Sequence, residues 1–426
     1  MNDDAVFAKC ARRLIPFIFL LYLFNFIDRV NVGFAALTMN GDMGFSPAVF
    51  GLGGGIFFLG YSLFQIPANL ILERVGARRW IFLILLVWGA VSASTAFIAS
   101  ATEFYAVRIL LGIAEAGFFP GMVLYLTYWF PKAYRARLVA NFMLAIPFAN
   151  IVGGPVSGLI LGMDGVLGLH GWQWLFLIEG APACVIAFAV LALLPSGPAE
   201  AHWLSAEEKH TIALRLASED SSRHRGLLSA LCDLRVWALG MVYLGYAISY
   251  YGVQLWLPQI VQAMGFSNLA TSFLVALPFA ATMLAMFLWG RSSDRTGERI
   301  WHVAMPALAA MAALIVASLS PSNLVIFLAL TVAVVSLMSL QGPFWALPQS
   351  YLGGVAAAGG IALINTLGTG AGGFVGPYVV GVLKNATGGY AVPIAVLSVA
   401  PAMTAIVALS LKRSVAAITA ASPARS

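Results

Sequence analysis

Charge is what this sequence lacks most. Only 9% of its 426 residues are Asp, Glu, Lys or Arg, against 61% hydrophobic, and the mean hydropathy is +0.91. A domain folded in water is about a quarter charged, so this chain has too little polar surface to cover itself and must lie in a membrane. That excludes a soluble enzyme, a nucleic-acid binder and a secreted disulfide scaffold. Cysteine is scarce as well. Cys10, Cys184 and Cys232 stand far apart, in no metal-ligand or disulfide spacing. The five histidines, His170, His202, His210, His224 and His302, fall in loops or at helix ends. A histidine proton relay is therefore not expected, nor is a Ser-His-Asp or metal centre, and no cofactor is called for.

What the sequence has in abundance is apolar runs of helix-spanning length. They fall near 14–37, 48–71, 80–99, 104–129, 138–161, 172–194, 234–261, 268–290, 301–319, 322–345, 355–382 and 390–411. The first follows Arg12 and Arg13 and lacks a small-residue cleavage site, so it reads as a retained helix. The long polar segment, Pro195 to Asp233, contains Ser205-Ala206-Glu207-Glu208-Lys209, which has the form of a capped helix start. It divides the chain into an N-terminal six-helix bundle at 1–194, a cytoplasmic linker at 195–233 and a C-terminal bundle with a short tail at 234–426. With both termini cytoplasmic, 20 of the 23 basic residues fall inside; Lys384 falls outside, and Arg29 and Arg108 lie within spans.

Two motifs recur at nearly one offset. Glu73-Arg74-Val75-Gly76-Ala77-Arg78 corresponds to Asp294-Arg295-Thr296-Gly297-Glu298-Arg299, and Gly154-Pro155 to Gly376-Pro377. Such repetition argues for a duplicated bundle, as in transporters whose substrate site lies between parallel halves.

The acidic-basic-x-Gly-x-basic loop in both halves and the Gly-Pro helix resemble signatures of the major facilitator superfamily. Asp28-Arg29-Val30-Asn31-Val32-Gly33-Phe34-Ala35, Arg108 with Glu115-Ala116-Gly117-Phe118-Phe119-Pro120-Gly121, Tyr251-Gly252 with Trp256-Leu257-Pro258, and Gly342-Pro343-Phe344-Trp345 resemble its anion:cation symporter family. Ala35-Ala36-Leu37-Thr38-Met39-Asn40 and Gly76-Ala77-Arg78-Arg79-Trp80 are most similar to bacterial permeases of the tartrate and 4-hydroxyphenylacetate type. The resemblance implies an all-α, twelve-helix membrane fold. Gln65 and Gln173 depart from it, standing where these permeases usually carry Glu and Arg.

Charges inside a membrane need a partner or a wet cavity, because each costs about 2.5 to 3.5 kcal/mol at the bilayer centre. Here they are Asp28, Arg29, Arg108, Glu115 and, nearer the outer surface, Glu179. Neighbours on a helix point about 100° apart, so Asp28 and Arg29 cannot serve one spot together. Arg108 and Glu115, two turns apart, share a face and can flank one cavity without pairing directly. Arginine offers a carboxylate a planar fork of donors, and a carboxylic acid in a low-dielectric site can carry a proton. Asp28, Arg29, Arg108 and Glu115 sum to zero; a monovalent anion adds −1, which one proton cancels. A dicarboxylate calls for two.

By resemblance to the sugar-acid members of the family, Asp28 and Glu115 are expected in proton coupling and Arg29 at the substrate carboxylate. Tyr61, Trp345 and Asn365 match substrate-contacting positions there. Arg108 is expected to help bind the anion. Tyr250 and Tyr251 stand 222 positions from Asp28 and Arg29 and are expected to face the cavity from the other half. Glu73, Arg74, Arg78, Asp294, Arg295 and Arg299 are expected to gate the cytoplasmic ends, and Glu179 to be structural, bound to helix-end donors or the outer interface. The whole reads as a monomeric, multi-pass protein of a bacterial inner membrane, taking up a small organic carboxylate with protons by alternating access. Its rivals are a facilitator or exporter on the same fold, and a membrane receptor that binds carboxylates without moving them.

Overall fold

The computed structural model describes residues 3–217, 233–351 and 354–421, and every described element is helical. Arg223, His224, Arg225 and Cys232 of the linker, and Arg425 of the tail, lie outside the described residues, as do the side chains of Arg137, Lys412 and Arg413. In chain order the helices are α1 (Asp3–Asp42), α2 (Pro47–Val75), α3 (Ala77–Ser94), α4 (Ala101–Glu115), α5 (Phe118–Thr127), α6 (Lys132–Met143), α7 (Ala145–Leu161), α8 (Gly171–Leu193), α9 (Ala206–Ala217), α10 (Leu234–Gln262), α11 (Asn268–Thr296), α12 (Ile300–Leu319), α13 (Asn323–Ser339), α14 (Gln341–Tyr351), α15 (Gly354–Asn365), α16 (Gly373–Thr387), α17 (Ala391–Leu397) and α18 (Val399–Ala421).

Among the described residues, eleven helical stretches are long and apolar enough to cross a membrane, several being two of these helices end to end. The fifth apolar run is the exception. It breaks at Leu144 into the polar α6 and the 17-residue α7, too short by itself for a full span. Elsewhere the runs and helices agree closely, because a backbone in lipid must satisfy its own hydrogen bonds and an apolar run of this length can do so only as a helix. The turn from α15 to α16 is a π-helical stretch, Thr366–Gly372, whose wider winding falls in a glycine-rich sequence.

The chain forms two compact units. Unit 1 comprises 1–39 and 59–223, and unit 2 comprises 40–58 and 224–426, so α2 starts in one and ends in the other. The repeated loop turns on a glycine of positive φ in both, with different geometry: Gly76 takes φ +86° and ψ +147°, whereas Gly297 takes the left-handed φ +67° and ψ 0°. In unit 1 the linker helix α9 begins with the reciprocal cap foreseen in the sequence: Glu208 N–H donates to Ser205 Oγ at 3.1 Å, and Ser205 N–H to Glu208 Oε2 at 2.8 Å. It is held to the start of α1 by Lys9 Nζ donating to Glu208 at 2.8 and 2.9 Å, and by Arg215 paired with Asp3.

Candidate functional site

The buried charges of unit 1 gather on α1, α3 and α4. Asp28 and Arg29 diverge, as their spacing requires. Asp28 turns to α3, where Trp88 Nε1 donates to its Oδ2 at 2.5 Å and Ser92 Oγ donates to its Oδ1. Asn31, one turn along α1, gives the third hydrogen bond, Nδ2 to Oδ1 at 3.0 Å. Arg29 turns to α4 and meets Glu115: its Nη2 lies 2.6 Å and its Nε 3.2 Å from Glu115 Oε2. Asn25, four residues before Arg29 and so on the same helix face, donates to that oxygen at 2.9 Å. Three donors thus converge on one oxygen of a carboxylate that is 0% exposed, while Oε1 has no hydrogen-bond partner.

Tyr61 of α2 is buried against this pair, its ring centroid 5.0 Å from the Arg29 guanidinium carbon, with the Phe26 ring at 5.1 Å. Arg108 is buried on the same helix as Glu115 and lies in the field of Glu115, Asp28 and Arg29. The direct partner of Glu115 is Arg29. Glu179, expected against helix-end donors or the outer interface, lies well inside α8. It is 5% exposed and accepts from Ser157 Oγ of α7 at 2.8 Å, inside the bundle and away from any helix terminus. The serine hydroxyl on the glycine-rich α7 lets two helices approach closely enough for this bond.

Unit 2 brings together aromatic groups in place of charges. Along α10, Tyr243, Tyr246 and Tyr250 recur at helical spacing and stack face to face, with centroids 5.3 and 5.5 Å apart. Tyr251 meets Tyr250 edge-on at 5.2 Å and the Phe58 ring at 4.4 Å. From α14, Phe344 stacks on Tyr243 at 5.2 Å, Trp345 meets it edge-on at 5.0 Å, and Gln341 Nε2 donates to the Tyr246 hydroxyl. Gly368 lies so near Tyr243 that any side chain there would overlap the ring. Asn365, at the end of α15, accepts from Thr369 Oγ1 at 3.0 Å. Three of the expected residues, Tyr250, Tyr251 and Trp345, therefore join one aromatic cluster, while Asn365 belongs to the π-helical turn that carries Gly368 past Tyr243.

The residues expected to gate make separate contacts. Arg299 pairs with Asp294 at 2.7 Å and donates to Ser293 Oγ at 2.8 Å. Arg78 donates to the Leu191 carbonyl and stands 3.9 Å from Glu200 of the linker. Glu73, Arg74 and Arg295 are exposed. Asn25, Asn31, Trp88, Ser92, Ser157, Tyr243, Tyr246 and Gln341 complete these networks and were not foreseen. A signal existed for Asn25 and Asn31, polar residues inside an apolar run and within a turn of Asp28 and Arg29. Nothing in the sequence joined Trp88 or Ser157 to their acids.

A helical membrane protein with an ion pair buried inside its spans has the architecture of a solute carrier. The sequence model of the Major Facilitator Superfamily matches residues 18–377, and the chain belongs to that superfamily. It is 46% identical to a candidate tartrate transporter of Agrobacterium vitis over 97% of this chain and 96% of that one. A quinolone resistance transporter of Acinetobacter baumannii is 41% identical over 91% of this chain and 90% of its own. Among solved structures, a bacterial homologue of the human lysosomal transporter Spinster matches with a TM-score of 0.80 at 18% identity, covering 95% and 97% of the two chains. The protein is thus a multi-pass membrane transporter, and its relatives are transporters rather than enzymes.

Proposed function

We propose that the protein is a twelve-helix, proton-coupled importer of a small organic carboxylate, working by alternating access in a bacterial inner membrane with both termini cytoplasmic. The observation that carries this reading is the Arg29–Glu115 pair. A carboxylate of the protein itself occupies the guanidinium fork, the donor set that suits a substrate carboxylate. Glu115 keeps a bare oxygen, Oε1, where a proton has room without displacing a donor. Protonating Glu115 weakens its hold on Arg29 and frees the guanidinium for an incoming anion, so proton and anion enter together. In this reading Asp28 shares in coupling, Arg108 balances charge, and Tyr61 walls the arginine. Tyr250, Tyr251, Trp345 and Asn365 hold the body of the substrate, and Glu73, Arg74, Arg78, Asp294, Arg295 and Arg299 act as gating residues. The partners are the anion, protons and lipid; the working form is a monomer. The twelfth crossing is α7 extended by α6, and the excess of basic residues on one set of loops gives the orientation.

Similarity to a candidate tartrate transporter supports the substrate class. The quinolone resistance relative favours a second reading, an exporter on the same fold. Purified protein in proteoliposomes separates the two. Labelled L-tartrate and a panel of monocarboxylates and dicarboxylates are offered with the interior alkaline; the expected result is accumulation that collapses when the pH gradient is dissipated. Uptake indifferent to the gradient would count against symport, and gradient-driven movement of a quinolone without any carboxylate flux would favour export.

A further inference from the structure

Glu179 is the buried acid that the mechanism above leaves unused. Its Oε1 accepts from Ser157 and its Oε2 has no hydrogen-bond partner. Among the described residues no basic side chain lies within ion-pairing distance of it. The charged group near it is another acid, Asp28 of α1, and Asn31 stands beside both carboxyls. Ser157 from α7 donates to it, and Ser92 of α3 lies against the next residue, Gly180.

Two neighbouring carboxylates cannot both stay ionised cheaply in a low-dielectric interior unless each has a cation, and here the field of Arg108 reaches Asp28. Their surroundings differ. Both oxygens of Asp28 are taken, and Trp88 Nε1 can only donate, so a proton on Oδ2 would face another proton. Glu179 has one hydroxyl, able to donate or accept, and an open oxygen. The charge balance points the same way. Asp28, Arg29, Arg108 and Glu115 cancel, so an ionised Glu179 leaves unit 1 with a buried charge of −1.

We propose that Glu179 is a second proton-carrying acid of the transport cycle, linked to Asp28 through Asn31. Its step is a simple ionisation: the O–H bond at Oε2 breaks, the electron pair stays on the carboxylate and the proton passes to water. This rests on the symport reading and sharpens it. One proton at Glu115 and one at Glu179 make two per cycle, so the carboxylate is carried with two protons.

The test is the proton-to-substrate ratio in proteoliposomes, measured with labelled L-tartrate from the reversal of flux by opposing pH gradients. Glu179→Gln keeps an acceptor for Ser157, and the ratio is expected to fall by one proton while transport persists; an unchanged ratio overturns the proposal. Should the variant be silent, or tartrate not be carried, infrared spectra recorded across a pH titration read the acid directly. A protonated-carboxyl band lost in Glu179→Gln and retained in Glu115→Gln supports the proposal, and a wild-type protein lacking such a Glu179-dependent band overturns it. Absence of any carboxylate flux in the wild type sinks the symport reading instead, which keeps the two failures apart.

Discussion

Unit 1 buries Asp28, Arg108, Glu115 and Glu179 with Arg29 half-buried among them, whereas the described spans of unit 2 carry charged side chains only towards their ends. In place of ions, α10 and α14 supply Tyr243, Tyr246, Tyr250, Phe344 and Trp345. A loop glycine of positive φ and a Gly-Pro helix occur in each unit. In sequence, Asp28 and Arg29 stand 222 positions from Tyr250 and Tyr251. Charge in a membrane is costly and persists where an ion or proton must be handled, while stacked rings are apolar, rigid and suited to shaping a site. In the proposed cycle, unit 1 therefore supplies the coupling and unit 2 the fit.

The comparison breaks most sharply at Glu115. Glu115→Gln removes the protonatable group while keeping an amide oxygen for Arg29, so proton-driven accumulation is expected to vanish with substrate exchange retained. Accumulation assays with and without a pH gradient, beside counterflow, check this; retained accumulation would remove Glu115 from coupling. Arg29→Lys keeps the charge but loses the fork, and carboxylate affinity is expected to fall about tenfold or more, since hydrogen bonds to charged groups contribute about 1.5–3 kcal/mol. Binding isotherms for the transported anion would show it, and unchanged affinity excludes Arg29 as the anchor.

In unit 2 the expected effect is smaller and of another kind. Trp345→Ala removes an edge-on contact with Tyr243 worth about 0.5–1.5 kcal/mol beyond its buried area. The apparent KM is expected to rise several-fold, about in line with that energy, and the ranking of carboxylates to change, with the proton-to-substrate ratio untouched. A changed ratio would break the division between units.

The smallest effect lies at the linker. Hydrogen bonds from Lys9 hold the Glu208 carboxyl below the usual carboxylate range. A lowered folded-state value means the stabilisation is present above the ordinary carboxylate pKa of about 4.3 and is lost as pH falls through the folded value. Lys9 is 43% exposed, so solvent screening keeps the contribution within about 1 kcal/mol. Lys9→Met is expected to lower Tm slightly at pH 7 and to match the wild type at pH 3, as measured by thermal unfolding in detergent; an equal loss at both pH values would show that the pair has no electrostatic part.

Composition and apolar run length were enough to determine a polytopic helical protein, because lipid leaves the backbone few alternatives. They also marked Asp28, Arg29, Arg108 and Glu115, since a charge in such a run stands out, and helical spacing alone required Asp28 and Arg29 to diverge. Which partner each charge takes was decided by tertiary packing. Seven residues along α4 put Arg108 and Glu115 on one face without pairing them, and the approach of α1 brought Arg29 and Asn25 to Glu115. Trp88 beside Asp28, Ser157 beside Glu179 and the stacking of Phe344 on Tyr243 depend on helix contacts between residues distant in the chain. Periodicity assigns each residue a face of its own helix, and only the packed bundle determines what that face meets.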